Sequence, residues 1–311
     1  MLRSLRFVLV LLALGCDPAV DPIDAGVDAG DGLPDAQVCT PPDDDPFGCE
    51  DLTQDPACPA SWVVGVTGRI ETSAGVGVEN ARAQLCVRLH PDDRLICLSP
   101  PATDANGDFT IVLPIELRCL NRAAMRAIAP RMPLATTYCP VEFEVGADPI
   151  VAIADPYVLH PTTAGTVPPV GDENAQREVT LPDGLVLTLA PVDFPSHDDY
   201  LELAGARVDA SATTCFAEGV VFDGAYVFQP EAEVLAGAAV SIPNTDGLAP
   251  DAEVDLYILG GLETRLIDGT MVEEGVIAQV GPATVSADGT MIVAGPDSRI
   301  PYLSWLTWKA R

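Results

Sequence analysis

Nine cysteines and three histidines are the side chains best suited to chemistry in this chain. The histidines, His90, His160 and His197, are scattered, and none stands in a zinc-protease pattern such as His-Glu-x-x-His. Ser196-His197-Asp198-Asp199 contains the residue types of a hydrolytic triad. Triad members converge across a fold rather than along one short stretch, so this reads as an exposed acidic loop. There is no Gly-x-Ser-x-Gly elbow, phosphate-binding glycine loop or dinucleotide fingerprint. No catalytic residue, metal ligand set or cofactor is assigned, and the chain is not expected to be an enzyme. No two cysteines have the close spacing of a zinc ligand pair.

Cys16 stands apart from the other eight. Arg3 and Arg6 precede an unbroken apolar run from Phe7 to Leu14, and Asp17-Pro18 follows the cysteine at once. The run is short of the roughly 20 residues a membrane-spanning helix needs, and it has the layout of a secretory signal. Leu12-Ala13-Leu14-Gly15-Cys16 resembles the lipobox of bacterial lipoproteins, with Ala13 where that family most often has Leu. The resemblance implies that residues 1–15 are a signal peptide and that cleavage occurs before Cys16. It also implies a diacylglyceryl thioether and an acylated amine on that residue. Membrane lipid, held through Cys16, is then the first expected partner. The expected location is the cell envelope, at the outer membrane, periplasm or cell surface. An unidentified envelope protein or a glycan is the second partner.

The remaining cysteines are Cys39, Cys49, Cys58, Cys86, Cys97, Cys119, Cys139 and Cys215. An even number in an exported chain reads as disulfides. Locality suggests Cys86 with Cys97 and Cys119 with Cys139, leaving Cys39, Cys49, Cys58 and Cys215.

The formal net charge is −30, and Lys309 is the only lysine. Nucleic-acid phosphates would repel such a chain and are excluded as a partner. Anionic membrane surfaces would repel it too, so lipid rather than charge must hold it there. One acyl chain is a marginal anchor, but several on one residue are durable. Residues 16–60 form an acidic, low-complexity tether, with no lysine or arginine between Asp17 and Pro56. Repeats such as Asp24-Ala25-Gly26 and Asp28-Ala29-Gly30 cannot bury apolar surface and read as a solvated spacer. The acidic run lacks the fixed ligand order of a calcium loop.

The elements that must position everything else read as strands. In residues 61–146, Val63 to Ile70 is β-branched and glycine-punctuated, and Ala81 to Val87 alternates. Asn106-Gly107 supplies a tight turn before Phe109, Ile111 and Leu113, which share one face. Asp104, Asn106 and Asp108 belong to that turn rather than to a calcium loop. Gly68, Ile70, Gly75, Ala81, Ala83, Thr103, Asp104, Gly107 and Phe109 together resemble the carboxypeptidase regulatory-like, transthyretin-like β-sandwich domain. That family implies an accessory, non-catalytic sandwich. Leu120 to Ile128 reads as a helical turn or two, a departure from the family.

Residues 147–176 read as a linker rich in Pro and Gly. Residues 177–311 then offer short strand candidates: Arg177–Leu181, Leu185–Leu189, Val220–Phe222, Ala225–Phe228, Ala238–Ile242, Val254–Leu259, Gly275–Val280, Thr284–Val285, Thr290–Val293 and Ser304–Trp308. Asp-Gly turns at 183, 223, 246, 268 and 288 separate many of them. The stretch from Ile242 to Tyr257, with Val280 to Thr290, resembles a ZU5-like β-module of myxobacterial exported proteins, which implies a fold and no activity. Tyr302, Trp305 and Trp308 suit either a sugar-stacking platform or a terminal strand that plugs the core; their alternation favours the plug. The expectation is an all-β chain of two β-sandwich domains after a signal peptide and tether. Its role is structural or partner-binding. The alternative is a surface carbohydrate-binding lipoprotein, with or without calcium.

Overall fold

A computed structural model describes residues 45–217 and 219–311. The chain is all-β, and residues 45–311 belong to one compact unit built from two lobes.

The first lobe has nine strands: β1 (Ser61–Trp62), β2 (Gly65–Thr72), β3 (Arg82–Leu89), β4 (Arg94–Cys97), β5 (Asp108–Val112), β6 (Cys119–Ile128), β7 (Thr137–Val141), β8 (Ile150–Ala152) and β9 (Tyr157–Leu159). One sheet runs β4-β3-β6, with β1 and β7 together on the far edge of β6. The other is built on β2, which pairs antiparallel with β5 and parallel with β8 and β9. Val66, Ile70, Phe109 and Ile111 from this sheet meet Leu85, Val87, Met125 and Ala127 from the first in one core. Gly68 is required where it stands. Its strand partner is Phe109, and a Cβ there would lie 2.7 Å from that ring. The turn before β5 closes as its residues dictate. Asp104 Oδ1 accepts from the backbone N–H groups of Asn106 and Asp108, at 2.8 and 2.9 Å, and Gly107 takes φ 85°. These donors hold the Asp104 carboxyl below its ordinary pKa, Asp108 first.

Residues 120–128 are not helical; they form most of β6. Helix propensity there is overridden by tertiary pairing on both edges. Ala123, Met125 and Ala127 enter the core while Arg122 and Arg126 point away from it.

The second lobe contains β10 (Thr163–Ala164), β11 (Arg177–Thr180), β12 (Val186–Leu189), the short helix α1 (His197–Leu201), β13 (Ala204–Val208), β14 (Gly224–Pro243), β15 (Glu253–Leu259), β16 (Ile277–Val285), β17 (Met291–Ala294) and β18 (Ile300–Ala310). Two expected strands are therefore one. The 20-residue β14 continues through register shifts against β18, and Gly237 takes φ 68°. Its first half pairs with β13 and β18, and its second half with β12 and β17. Because β16 joins β15 to β17 and β15 joins β18, the pairings close into a ring. Val220–Phe222 is not a strand, and Gly275–Val280 and Thr284–Val285 largely merge into β16.

Residues 147–176 are not a structureless linker, since β8 and β9 complete the first lobe and β10 joins β13 in the second. Ser196–Asp199 is not a loop either. Ser196 Oγ accepts from Asp198 N at 3.1 Å and caps α1. Between β11 and β12, Asp183 (φ 62°) and Gly184 (φ 82°) make the expected tight turn.

β18 is buried from Ile300 to Trp308. Trp308 and Leu306 fill the second lobe's core, while Trp305 faces the first lobe beside Ala135, Tyr138 and Phe216. These rings offer no open face for a sugar to stack on.

Candidate functional site

Cys16 and Cys39 lie outside the described residues. Cys86, on β3, is bonded to its cross-strand neighbour Cys97 on β4. Cys58 is bonded to Cys119, and Cys139 to Cys215. Cys49 is also in a disulfide. The expected pairing of Cys119 with Cys139 is thus corrected. Cys139 sits opposite Met125, six residues from Cys119. At about 3.4 Å per residue the two cysteines are some 20 Å apart along the ladder. Cys119 instead lies opposite Trp62 on β1, just past Cys58, and Cys139 reaches Cys215 of the second lobe.

The densest chemistry lies where the outer face of β3 and β6 meets the second lobe. Glu231, on β14, is almost fully enclosed, its side chain 5% exposed. Its Oε2 accepts from Arg126 Nε at 2.9 Å and from a second guanidinium nitrogen at 2.6 Å. Its Oε1 accepts from the hydroxyls of Tyr138 and Tyr302. Burial, and then the Glu231 charge, push both phenols far above their ordinary range. Burial, the largest single influence, would lower the Arg126 pKa, but the Glu231 charge, the two tyrosines and the Glu231 hydrogen bond together outweigh it and the net shift is upward.

Two further arginines repeat the theme. Arg88 forks onto Glu274 with contacts of 3.0–3.3 Å, and Arg122 pairs with Glu273 and with Asp93. All the cations of this seam come from β3 and β6, and Glu231, Glu273 and Glu274 come from the second lobe. Each of these groups is committed to its partner, so the seam fixes how the lobes meet rather than presenting a reactive group to solvent.

The histidines are not brought together. His90 Nδ1 lies 3.2 Å from Asn121 Oδ1, and exposed His197 stands 3.5 Å from Glu173. His160 is buried against Trp305. Among the described residues, no three His, Cys, Asp or Glu side chains are grouped to hold a metal ion.

No protein-family model and no curated protein matches this chain. Its surface therefore speaks through its own residues. The first lobe is open along both sides. A groove of about 590 Å³ runs between the edges of β4 and β5, lined by Ile96, Leu98, Pro100, Pro101, Val112 and Leu117. A second, of about 670 Å³, lies between β7 and the β8–β9 segment, with Cys139 and Cys215 in its wall. Cys215 is exposed there, whereas Cys139 is buried.

Sequence reasoning missed the seam altogether. The one available signal was Arg122 and Arg126 flanking an Ala-Ala-Met core run, which as a strand places both arginines on the outer face. Glu231, 105 residues from Arg126, gave no local sign of its role.

Proposed function

We propose that this is a lipid-anchored cell-envelope protein with a non-catalytic, structural or partner-binding role, tethered through Cys16. The observation that carries the reading is the disulfide framework. Three bonds staple the described residues, one of them between lobes. Such bonds form and persist in oxidising compartments. No helix among the described residues is long and apolar enough to cross a membrane. In this reading the anchor is the lipid on Cys16.

The pairing of Arg88, Arg122 and Arg126 with Glu274, Glu273 and Glu231 supports a structural role for the contact between the lobes. The first lobe is read as a transthyretin-like accessory sandwich, supported by the contact between Gly68 and Phe109 and by the Asp104 turn. Its two open sides are the surfaces for an envelope partner. Fractionation of the native host tests the anchor. The wild-type chain should sediment with membranes and Cys16→Ser should appear in the soluble fraction; equal retention of both refutes it.

A further inference from the structure

Where the lobes meet, a threonine hydroxyl is also hydrogen-bonded to a side-chain carboxamide. Thr162 Oγ1 donates to Gln229 Oε1 at 2.5 Å, and Thr162 is 7% exposed. The other end of the same carboxamide is fixed, since Gln229 Nε2 donates to the Met132 carbonyl at 2.8 Å. Thr162 lies between β9 and β10, while Gln229 lies on β14.

Two residues before Thr162 stands His160. The sequence of buried His160, exposed Pro161 and buried Thr162 puts imidazole and hydroxyl on the same inward side. The imidazole packs edge-on against Trp305, with centroids 5.4 Å apart. Trp305 is the register partner of Val227, two residues before Gln229, so the His160–Trp305 and Thr162–Gln229 contacts fall at neighbouring positions of β14 and β18.

His160 is 9% exposed, and its Nε2 is buried with no hydrogen-bond partner. Burial holds its pKa below the ordinary value, which keeps the ring an uncharged base near neutral pH. A polar atom left unpaired in the interior is costly, and native structures retain few of them.

We propose that Thr162 and Gln229 form an intramolecular ester crosslink, with His160 carrying the proton. Thr162 Oγ1 attacks Gln229 Cδ. The Oγ1–Cδ bond forms and the Cδ–Nε2 bond breaks. The hydroxyl proton passes through His160 to the departing nitrogen, which leaves as ammonia. Nothing is oxidised or reduced, and no co-reactant enters. The ester ties the chain leaving the first lobe to the longest strand of the second. It thereby closes covalently the same seam that Glu231 and the Cys139–Cys215 bond already brace.

Mass spectrometry of the full chain tests this, with Cys16→Ser used to remove lipid heterogeneity. The chain, reduced and alkylated, is expected about 17 Da below the mass of its sequence with every cysteine alkylated, a deficit of one ammonia. Fragmentation should find the Thr162 and Gln229 peptides joined, and hydroxylamine should separate them. Thr162→Val should abolish the loss and Thr162→Ser retain it, which distinguishes the ester from a cyclised Asn106-Gly107 that sheds the same mass. His160→Gln should slow the appearance of the crosslink in freshly folded protein. Wild-type chain at full mass with separate 162 and 229 peptides overturns the proposal, whatever the variants do. So does a loss that persists in Thr162→Val.

Discussion

Replacing Glu231 by Ala is the sharpest test of how the lobes are held. The carboxylate is 5% exposed and accepts from Arg126 and from two tyrosine hydroxyls. Its removal leaves the Arg126 guanidinium enclosed without its counter-charge, and breaking a buried pair from one side costs about 3–5 kcal/mol. The two phenols lose an acceptor as well, each a matter of about 1 kcal/mol, though such losses do not simply add. The expected destabilisation is therefore about 4 kcal/mol or more. For a body of this size that is roughly 8–16 °C in the melting temperature. Guanidinium denaturation of the oxidised protein, followed by tryptophan fluorescence, reads it through Trp305 in the seam. Glu178→Ala, on the exposed face of β11, is the control and should stay within about 0.5 kcal/mol of wild type. The double variant Glu231→Leu with Arg126→Met should recover much of the loss, because no unpaired charge remains. If Glu231→Ala behaves like the Glu178→Ala control, the seam does not hold the lobes and the reasoning fails.

Other expectations follow from the same geometry. Under graded reductant, the Cys139–Cys215 bond should open first among the three mapped, because Cys215 is exposed in a groove. Differential alkylation reads the order, and its 76-residue span implies a loss of about 4.5 kcal/mol on removal, against about 3 for Cys86–Cys97. Because burial lowers the His160 pKa from 6.5, the unfolded chain binds the extra proton first. Stability contributed by keeping that ring neutral is present above about pH 6.5 and falls as pH drops below it; His160→Gln should flatten this part of the stability profile. Tyr138 and Tyr302, both raised, keep their protons in the folded state, so their contribution is present below about pH 10 and lost as pH rises beyond it. Their phenolate absorbance should therefore appear together with unfolding rather than ahead of it.

What was legible in the sequence is what depends on near neighbours. The turn from Asp104 to Phe109 forms from contacts within five residues, and Asp183-Gly184 sets its own backbone angles. Cys86 and Cys97 find each other because one hairpin fixes their register. The burial of Tyr302, Trp305 and Trp308 was legible because a strand sends Tyr302 and Trp305, and Trp305 and Trp308, to opposite faces, which leaves no single face for a ligand. What was not legible depends on partners far away. β6 looks helical until β3, β1 and β7 pair with it. β14 looks like two strands because Gln229-Pro230-Glu231 and Ala236-Gly237 interrupt its apolar runs at the register shifts, and its neighbours come from elsewhere in the chain. The cysteines at 58, 119, 139 and 215 pair across strands and lobes, where spacing along the chain carries no information. The seam needs a cation from one lobe and an anion from the other, and no window of sequence contains both.

The central claim is an acylated cysteine at the start of a mature chain that carries this disulfide-braced body. Mass spectrometry of the N-terminal peptide from protein isolated from its native host addresses it directly. The account predicts a peptide beginning at Cys16 with a diacylglyceryl thioether and an acylated amine. A peptide beginning anywhere else, or Cys16 with a free thiol, would contradict it.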